Sequence, residues 1–257
     1  MAQWHTFYGS TGSDKGFGIA VDGSEKVYIS GNSDNGNWNG PPPVNAYQGG
    51  MDIVVLNLNS SGTLDGHTFL GSAGNDYAGK IAVDGSGNIY VTGDSAASWG
   101  TPVHAHSGLN DIVICKLFSS GNLAWNTFLG SSDYDYGIGI AVDGSGNVYV
   151  AGESDNTWGK PLHPFSGSLG SSDIVVAKLI SDSGGLAWNT FYGSSDWDYS
   201  NAITVDKSGN IYVTGASFAT WGNPLNSLNN MDDITVIKLS EFPWPMFLPA
   251  IIKGGQQ

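Results

Sequence analysis

Four near-identical segments recur along the chain and constrain its fold more than any other feature. They begin at Ile19, Ile81, Ile140 and Ile203, and the third reads Ile-Ala-Val-Asp-Gly-Ser-Gly-Asn-Val-Tyr-Val-Ala-Gly. β-Branched residues and Tyr fill both arms, and the Asp-Gly-Ser-Gly-Asn cluster between them is typical of a tight turn. Each segment therefore predicts a β-hairpin whose Asp accepts hydrogen bonds from the turn amides. Calcium ligation by these Asp residues is the alternative, although the spacing lacks the further carboxylates of an EF-hand loop.

A second hairpin follows in every unit. Its first arms start at Asp52, Asp111, Asp173 and Asp233, and its second arms carry a Thr-Phe-Leu/Tyr-Gly pattern. Each unit thus supplies four strands, and four strands repeated every 40 to 65 residues or so are the signature of propeller blades. We predict an all-β fold, a single β-propeller over residues 1–241 with four four-stranded blades. Its units are residues 10–71, 72–130, 131–193 and 194–241, the last completed by residues 4–9, and a Pro-rich tail follows over residues 242–257.

The closure of this ring is predicted from the N-terminal residues. Residues 4–9 read Trp-His-Thr-Phe-Tyr-Gly and match residues 188–193, which form the last strand of the third unit. The fourth unit needs such a strand, so we predict that residues 4–8 form the outer strand of the fourth blade. Residues 242–252 contain prolines, which remove ladder donors, and are expected to pack outside the ring. The same geometry allows the strand to insert into a neighbouring molecule, which gives a homo-oligomer by strand exchange.

The repeated motifs resemble the bacterial SBBP β-propeller repeat. The resemblance rests on Gly-Ser-x-x-x-Asp, Ile-Ala-Val-Asp-x-Ser-Gly-Asn-x-Tyr-Val-x-Gly, Asp-Ile-Val-x-x-Lys-Leu and Trp-x-Thr-Phe-x-Gly, and it covers residues 4–239. It implies a propeller of the kind found in secreted or surface proteins of bacteria. It implies no catalytic residues.

Composition excludes some partners. The net charge is −14 with only nine Lys and Arg residues, so a phosphate backbone would be repelled and nucleic acid is not an expected partner. No stretch approaches the ~20 apolar residues that span a bilayer, so membrane insertion is not expected. The first residues show no signal-peptide pattern, and composition favours an extracellular or cell-surface location. The single cysteine, Cys115, lies in an apolar run and is expected to be buried and inert.

The longest loop of each unit carries a Trp, followed in three of them by Gly-x-Pro. An indole stacks on the apolar face of a pyranose, and a neighbouring imidazole, amide or carboxylate binds its hydroxyl groups. We therefore predict a multivalent, lectin-like site that binds a glycan or a surface protein. The alternative is that each Trp packs between blades and fixes its loop. The candidate ligand-binding residues are Trp38, Trp99, Trp158, Trp221, His104, His163 and Asn226.

A second loop in each unit ends in an Asp, namely Asp14, Asp76, Asp135 and Asp198. The favoured interpretation is that these residues cap turns around the propeller axis. The alternative is a ring of carboxylates at the channel mouth that holds a cation such as calcium. No cofactor is otherwise expected.

Enzyme motifs are missing from the sequence. It contains no Gly-x-Ser-x-Gly, P-loop, His-Glu-x-x-His or zinc-spaced Cys and His set. Paired carboxylates such as Asp133 and Asp135 are compatible with glycoside hydrolysis, but near-identical units argue against a single asymmetric active site. We expect a non-catalytic binding module, with an adhesive or self-assembling repeat protein as the second hypothesis and a glycoside hydrolase as the third.

Overall fold

A computed structural model of the protein describes residues 3–168, 170–229 and 231–240. These residues form fifteen strands and no helix, which confirms the all-β prediction. No helix of the described part is therefore long and apolar enough to cross a membrane. The strands are β1 Asp14–Val21, β2 Val27–Ser33, β3 Asp52–Leu58, β4 Leu64–Leu70, β5 Asp76–Val83, β6 Ile89–Ser95, β7 Asp111–Leu117, β8 Leu123–Leu129, β9 Asp135–Val142, β10 Val148–Ser154, β11 Asp173–Leu179, β12 Leu186–Tyr192, β13 Asp198–Val205, β14 Ile211–Ser217 and β15 Asp233–Leu239.

The strands form four antiparallel sheets that follow the sequence units. Blade 1 contains β1–β4, blade 2 contains β5–β8 and blade 3 contains β9–β12, whereas blade 4 contains only β13–β15 among the described residues. Within each blade, every strand pairs antiparallel with the next strand along the chain. The predicted arrangement of repeated four-stranded blades is confirmed for three units.

The first hairpin of each blade closes on its Asp as the sequence predicts. Asp84 Oδ1 accepts hydrogen bonds from the amides of Ser86 (2.8 Å) and Asn88 (2.9 Å), and the Tyr90 hydroxyl donates to Oδ2 at 3.1 Å. Burial raises the pKa of Asp84, but the bonds from Asn88, Ser86 and Tyr90 outweigh it and hold the pKa below its usual value. Equivalent bonds surround Asp22, Asp143 and Asp206.

Buried apolar clusters join each blade to the next. Ile53 and Val55 of β3 pack with Ile81 and Ile89 of blade 2, and two equivalent clusters join blade 2 to blade 3 and blade 3 to blade 4. We call the side of a blade that meets the following blade its forward face, and the opposite side its rear face. Leu56, on the alternate side of β3, belongs to the rear face. The core therefore lies between blades rather than within them.

The N-terminal residues do not complete blade 4. The Trp4 indole Nε1–H donates to the Ser60 carbonyl at 3.1 Å, and the Tyr8 hydroxyl donates to the Gly62 carbonyl at 2.8 Å. Both acceptors lie on the β3–β4 turn of blade 1. Blade 4 has three strands among the described residues and residues 4–8 form none of them, so the predicted closure of the ring by residues 4–8 is not confirmed. The predicted position of residues 242–252 lies outside the described residues.

Candidate functional site

Both loops that the sequence singles out lie at one end of the blades. Asp14 pairs with Ser33, and Ser33 pairs with Asp52, so the start of β1, the end of β2 and the start of β3 are adjacent. The β2–β3 loops and the connections between blades leave from this end. We call this surface the loop face; its described residues are 34–51, 71–75, 96–110, 130–134, 155–168, 170–172, 193–197, 218–229 and 231–232.

The four loop Trp residues are anchored inside the protein. Each Nε1–H donates to the Ser at the end of the second strand, as Trp158 does to Ser154 at 3.1 Å and Trp99 does to Ser95 at 3.2 Å. Trp158 also packs edge-on against Phe191 of the outer strand, with ring centroids 5.8 Å apart. Trp38 and Trp221 make the same bond to Ser33 and Ser217, each at 3.0 Å. Trp158 is buried and the other three are half-buried, so these indoles fix the loops to the blades.

The predicted partners of these Trp residues point elsewhere. His104, His163 and Asn226 are exposed. The His104 carbonyl accepts the Phe128 amide at 3.0 Å, and the His163 carbonyl accepts the Phe191 amide at 3.1 Å. These bonds tie the loop backbone to the outer strand. No ring contact joins either His to a loop Trp in the described part of the chain.

The predicted cation ligands are also engaged within their own units. Asp76 Oδ2 accepts the Ser72 amide (2.7 Å) and hydroxyl (3.0 Å), and its Oδ1 accepts the Ser95 hydroxyl and the Trp99 indole. Asp135 and Asp198 have matching serine donors, and Asp14 binds Ser10 and Ser33. Over residues 3–168, 170–229 and 231–240, no three His, Cys, Asp or Glu side chains are grouped so that they could hold a metal.

A second Asp approaches three of these residues, Asp76, Asp135 and Asp198, across the blade junction, which sequence reasoning missed. The position that a Cβ atom on Gly130 would take lies 2.7 Å from Asp111 Oδ1 and 2.8 Å from Asp135 Oδ2. Both carboxyl groups are fully buried. Burial, with a smaller contribution from the neighbouring Asp111 charge, raises the pKa of Asp135 to about 7. The signal available in the sequence was the recurrence of an Asp at the start of the third strand.

Exposed aromatic residues form a surface near the start of the inner strands. Tyr134 stacks on Tyr136 with ring centroids 6.0 Å apart, and Trp197 stacks on Tyr199 at 5.7 Å. Tyr134 is 42% exposed and Trp197 is 39% exposed. We call these four residues together with the exposed Tyr77 the aromatic patch. The motifs Asp-Tyr-Asp-Tyr and Asp-Trp-Asp-Tyr that supply it were visible in the sequence, but only their Asp residues were selected there.

Carboxyl and amide groups border the aromatic patch. Burial, together with the nearby charges of Asp94, Asp155 and Glu153, raises the pKa of Tyr136 to about 12. Burial and the Asp155 charge raise the pKa of Glu153 to about 7, although the Ser200 amide donates to it from blade 4. Glu153 and Asp155 also raise the pKa of Tyr199, so these two carboxyl groups lie near both stacked pairs.

Polar groups at the edge of the patch have defined orientations. The Asn156 amide donates to Asp133 Oδ2 at 3.0 Å, and the Asn110 amide donates to Asp94 Oδ2 at 2.7 Å. Asp133 directly precedes Tyr134 in the chain. The patch therefore combines flat apolar rings with fixed hydrogen-bonding groups, which is the chemistry that recognises a polyhydroxylated ligand.

Comparison with known proteins supports the repeat assignment. The family model described as SBBP, beta-propeller repeat, matches residues 66–98, 125–157 and 188–226. The protein is 28% identical over 145 residues to the regulatory protein FlaEY of Caulobacter vibrioides. This alignment covers 54% of this chain and 15% of that protein. It is also 29% identical over 120 residues to an uncharacterized WD repeat-containing protein of Acanthamoeba polyphaga mimivirus. This second alignment covers 42% of this chain and 9% of that protein. The chain thus spans less than a fifth of these relatives.

Solved structures show more distant similarity. The tail fiber of a Staphylococcus aureus phage is 11% identical, with a TM-score of 0.29 over 86% of this chain and 49% of that chain. A glucose dehydrogenase is 11% identical, with a TM-score of 0.33 over 90% of this chain and 84% of that chain. Scores this low carry no argument about function.

Proposed function

We propose that this chain, an SBBP β-propeller repeat protein, is a non-catalytic binding module that recognises carbohydrate through the aromatic patch of its loop face. The observation that carries the proposal is the two stacked aromatic pairs near Glu153 and Asp155, namely Tyr134–Tyr136 and Trp197–Tyr199, of which Tyr134 and Trp197 are exposed. The proposed location is extracellular or at a cell surface, in keeping with the composition.

The chemistry of the patch suits a sugar ring. The C–H groups on one side of a pyranose stack on Tyr134 or Trp197, whose rings are already oriented by their stacked neighbours. The carboxyl group of Asp133 and the Tyr hydroxyls then accept or donate hydrogen bonds to the sugar hydroxyls. Because the two stacked pairs belong to adjacent blades, they offer two platforms to an oligosaccharide, and engagement of both increases its affinity.

The loop Trp residues remain a weaker prediction for the same function. Trp38, Trp99 and Trp221 keep part of their surface exposed, but the Nε1–H of each is used by a Ser of its own blade. The geometry supports a role in which they hold the loop face in shape, while His104, His163 and Asn226 remain available at its periphery.

Protein recognition is the second candidate function. Two relatives are named a regulatory protein and a WD repeat-containing protein, and exposed Tyr and Trp are also enriched at the centres of protein interfaces. In this case the aromatic patch would contact a partner side chain instead of a sugar.

The experiment combines a glycan array with titration of Trp fluorescence. The alanine variants Tyr134→Ala and Trp197→Ala are expected to abolish glycan binding, and their exposed positions leave the fold intact. Phe118→Ala, which removes an exposed ring from the β7–β8 turn at the opposite end of the blades, is the matched control and should bind as the wild type does. If the wild-type protein binds no glycan while Trp197→Ala loses a protein partner, the second candidate replaces the first.

A further inference from the structure

The forward face of blade 4 is an uncovered copy of the surface that joins the other blades. Ile234 and Val236 of β15 are 84% and 70% exposed. Their equivalents in blade 1 are Ile53 and Val55, which are buried against blade 2. Blade 4 thus presents, to solvent, the apolar surface that elsewhere forms the core between neighbouring blades.

The rear face of blade 1 is the complementary surface. Ile19 is 70% exposed, whereas its equivalents Ile81 and Ile140 are buried by the preceding blade. A groove of about 270 Å³ runs between this face and the N-terminal residues. Its lining includes Ile19, Val27, Ile29 and Leu56 on one side and Trp4 on the other. None of the buried clusters among the described residues joins blade 4 to blade 1.

The N-terminal residues already occupy the place of an outer strand that belongs to a preceding blade. Trp125 of β8 donates to the Ser181 carbonyl in the β11–β12 turn of blade 3 at 2.9 Å. Trp4 makes the same bond to Ser60 in the β3–β4 turn of blade 1. Residues 4–8 therefore lie on blade 1 as β8 lies on blade 3, and the exposed rear face beside them, around Ile19, is where the other three strands of that blade would pack.

Phe7 is the part of this segment that lacks its partner. It is 92% exposed, while its equivalents Phe69, Phe128 and Phe191 are buried. In blades 2 and 3 the equivalent Phe packs edge-on against the loop Trp, at 5.8 Å for Trp99–Phe128. The loop Trp of blade 4 is Trp221, and no Phe contacts it in the described residues.

Blade 4 has an open position for such a strand. In blade 3 the Leu162 amide donates to the Asn189 carbonyl, and the Phe191 amide donates to the His163 carbonyl. The equivalent residues of blade 4, Leu225 and Asn226, are exposed. They line a groove of about 850 Å³ together with Trp221 and the edge strand β15.

We propose that a second copy of this chain fills both grooves in a head-to-tail arrangement. Strands β13–β15 of one copy lie on the rear face of blade 1 of the other, beside residues 4–8, so that one four-stranded blade is built from two chains. The register of β11 with β12 predicts that Thr6 lies opposite Val236 and Phe7 lies opposite Thr235. Phe7 then packs against Trp221, the Phe7 amide donates to the Asn226 carbonyl, and the Leu225 amide donates to the His5 carbonyl.

A second copy fits because each copy carries both halves of the interface. The two faces repeat the contacts that already join three pairs of blades within the chain, so their shapes and apolar surfaces match. Such an interface is heterologous, and it closes into a ring when the rotation per copy is one half turn. Two copies give eight blades, which lies within the usual range of four to eight or so for propellers.

Disulfide trapping in the full chain tests the proposed register. Opposed residues of antiparallel strands have Cα atoms about 4.5–5.5 Å apart, within the range that a disulfide spans. The double variant Thr6→Cys/Val236→Cys is expected to form a covalent dimer on oxidation, seen on a non-reducing gel and by intact mass. The native Cys115 is buried and does not interfere. The control Thr6→Cys/Lys207→Cys, which moves the second thiol to the β13–β14 turn, should stay uncross-linked.

Three results overturn the proposal. An intramolecular disulfide at the mass of one chain would show that residues 4–8 close the ring of their own copy. Free thiols in the double variant would show that another segment, such as residues 241–257, covers β15 or that nothing does. A sedimentation mass of one chain, 26.9 kDa, for the wild-type protein at the concentration used for cross-linking would exclude a stable two-copy assembly.

The variant Phe7→Ala separates the interface from folding. Phe7 is exposed in the single chain, so its removal leaves the melting temperature of the monomer unchanged. Loss of a ring that becomes buried in the assembly is expected to raise the dimer dissociation constant roughly 100-fold or more. An unchanged dissociation constant would contradict the predicted contact with Trp221.

Discussion

Asp52 and Asp76 direct their carboxyl groups toward one glycine from the two sides of the junction between blades 1 and 2. The position of a Cβ on Gly71 lies 2.8 Å from Asp52 Oδ1 and 2.9 Å from Asp76 Oδ2. Asp52 Oδ1 has no hydrogen-bond partner, and burial raises the pKa of Asp52 to about 7, with a further contribution from the Asp76 charge. A proton on Asp52 Oδ1 gives the buried pair a hydrogen-bond donor and removes one of its two charges.

These carboxyl groups predict that the protein is most stable at mildly acidic pH. The pKa values of Asp52 and Asp135 rise from 3.8 to about 7 on folding, so the native state binds more protons than the unfolded state between these values. The free energy of unfolding therefore falls as pH rises from about 4 to about 7. Asp84 and Asp143 have lowered pKa values, and their contribution is lost as pH falls below about 4. Thermal melts from about pH 3 to about pH 9 measure the loss of stability on both sides of this optimum.

The variant Asp52→Asn tests whether the buried pair causes this fall in the free energy of unfolding as pH rises. An amide has the shape of the protonated acid and cannot ionise, so the variant should melt higher than the wild type at pH 8 and show a smaller fall in melting temperature between pH 5 and 8. Asp182→Asn removes one charge from an exposed loop position and controls for the net charge of −14. Equal effects of the two variants would attribute the slope to overall charge repulsion.

The first hairpin predicts a stabilising substitution at Glu25. This residue occupies the place of a turn glycine and has a φ of 63°, where Gly146 of the third unit has a φ of 83°. A left-handed conformation costs a non-glycine residue about 1–2 kcal/mol, so Glu25→Gly should raise the free energy of unfolding by about 1 kcal/mol. The reciprocal change Gly146→Glu should lower it by a similar amount. Urea unfolding measures both, and equal stability of Glu25→Gly and the wild type would refute the assigned strain.

Removal of the Trp158 indole should cost stability rather than binding. Trp158 is buried, its Nε1–H donates to Ser154, and its ring packs on Phe191. Trp158→Ala is therefore expected to lower the free energy of unfolding by about 3–5 kcal/mol, as for other buried aromatic truncations. The exposed Trp197→Ala should change it by less than about 0.5 kcal/mol. If Trp158→Ala keeps full stability but loses glycan binding, the indole is a ligand contact after all.

Association of two copies should become stronger as the salt concentration rises. Each copy carries a net charge of −14, while the proposed contacts are apolar. Added salt screens the repulsion between copies, so the dimer dissociation constant is expected to fall as NaCl rises from about 20 to about 200 mM. Sedimentation equilibrium at several salt concentrations measures it. A dissociation constant that rises with salt would indicate an interface held by opposite charges.

The blades could be predicted from the sequence because their determinants are local and repeated. Turn residues such as Asp84 act within their own hairpin, and the alternation of Ile53 and Val54 sets the two faces of a strand. Closure could not be predicted in this way, since it depends on the rotation between blades and not on any residue of one unit. Residues 4–8 match the strand that blade 4 lacks, and Trp4 bonds to Ser60 of blade 1, yet among the described residues no strand pairs with the free edge of β15.

The functional surface was only partly predictable for a related reason. The recurrence of Trp99 and its equivalents marked them as important, but recurrence does not separate a residue that fixes a loop from one that meets a ligand. The aromatic patch is strongest where the units diverge, since Tyr134 and Trp197 stand where the second unit has Asn75. Asymmetry between units is therefore the signal on which the proposed binding surface rests.

The placement of the core between blades has a consequence for how the chain unfolds. Each buried cluster draws on two adjacent units only, so folding energetics reduce to a one-dimensional series of nearest-neighbour couplings. Blades that pack against one neighbouring blade are therefore expected to lose protection against amide hydrogen exchange before blades that pack against two. In amide hydrogen exchange of the single chain, as in the Phe7→Ala variant, β14 and β15 should therefore open well before β6 and β10, through partially folded species that a single melting temperature conceals.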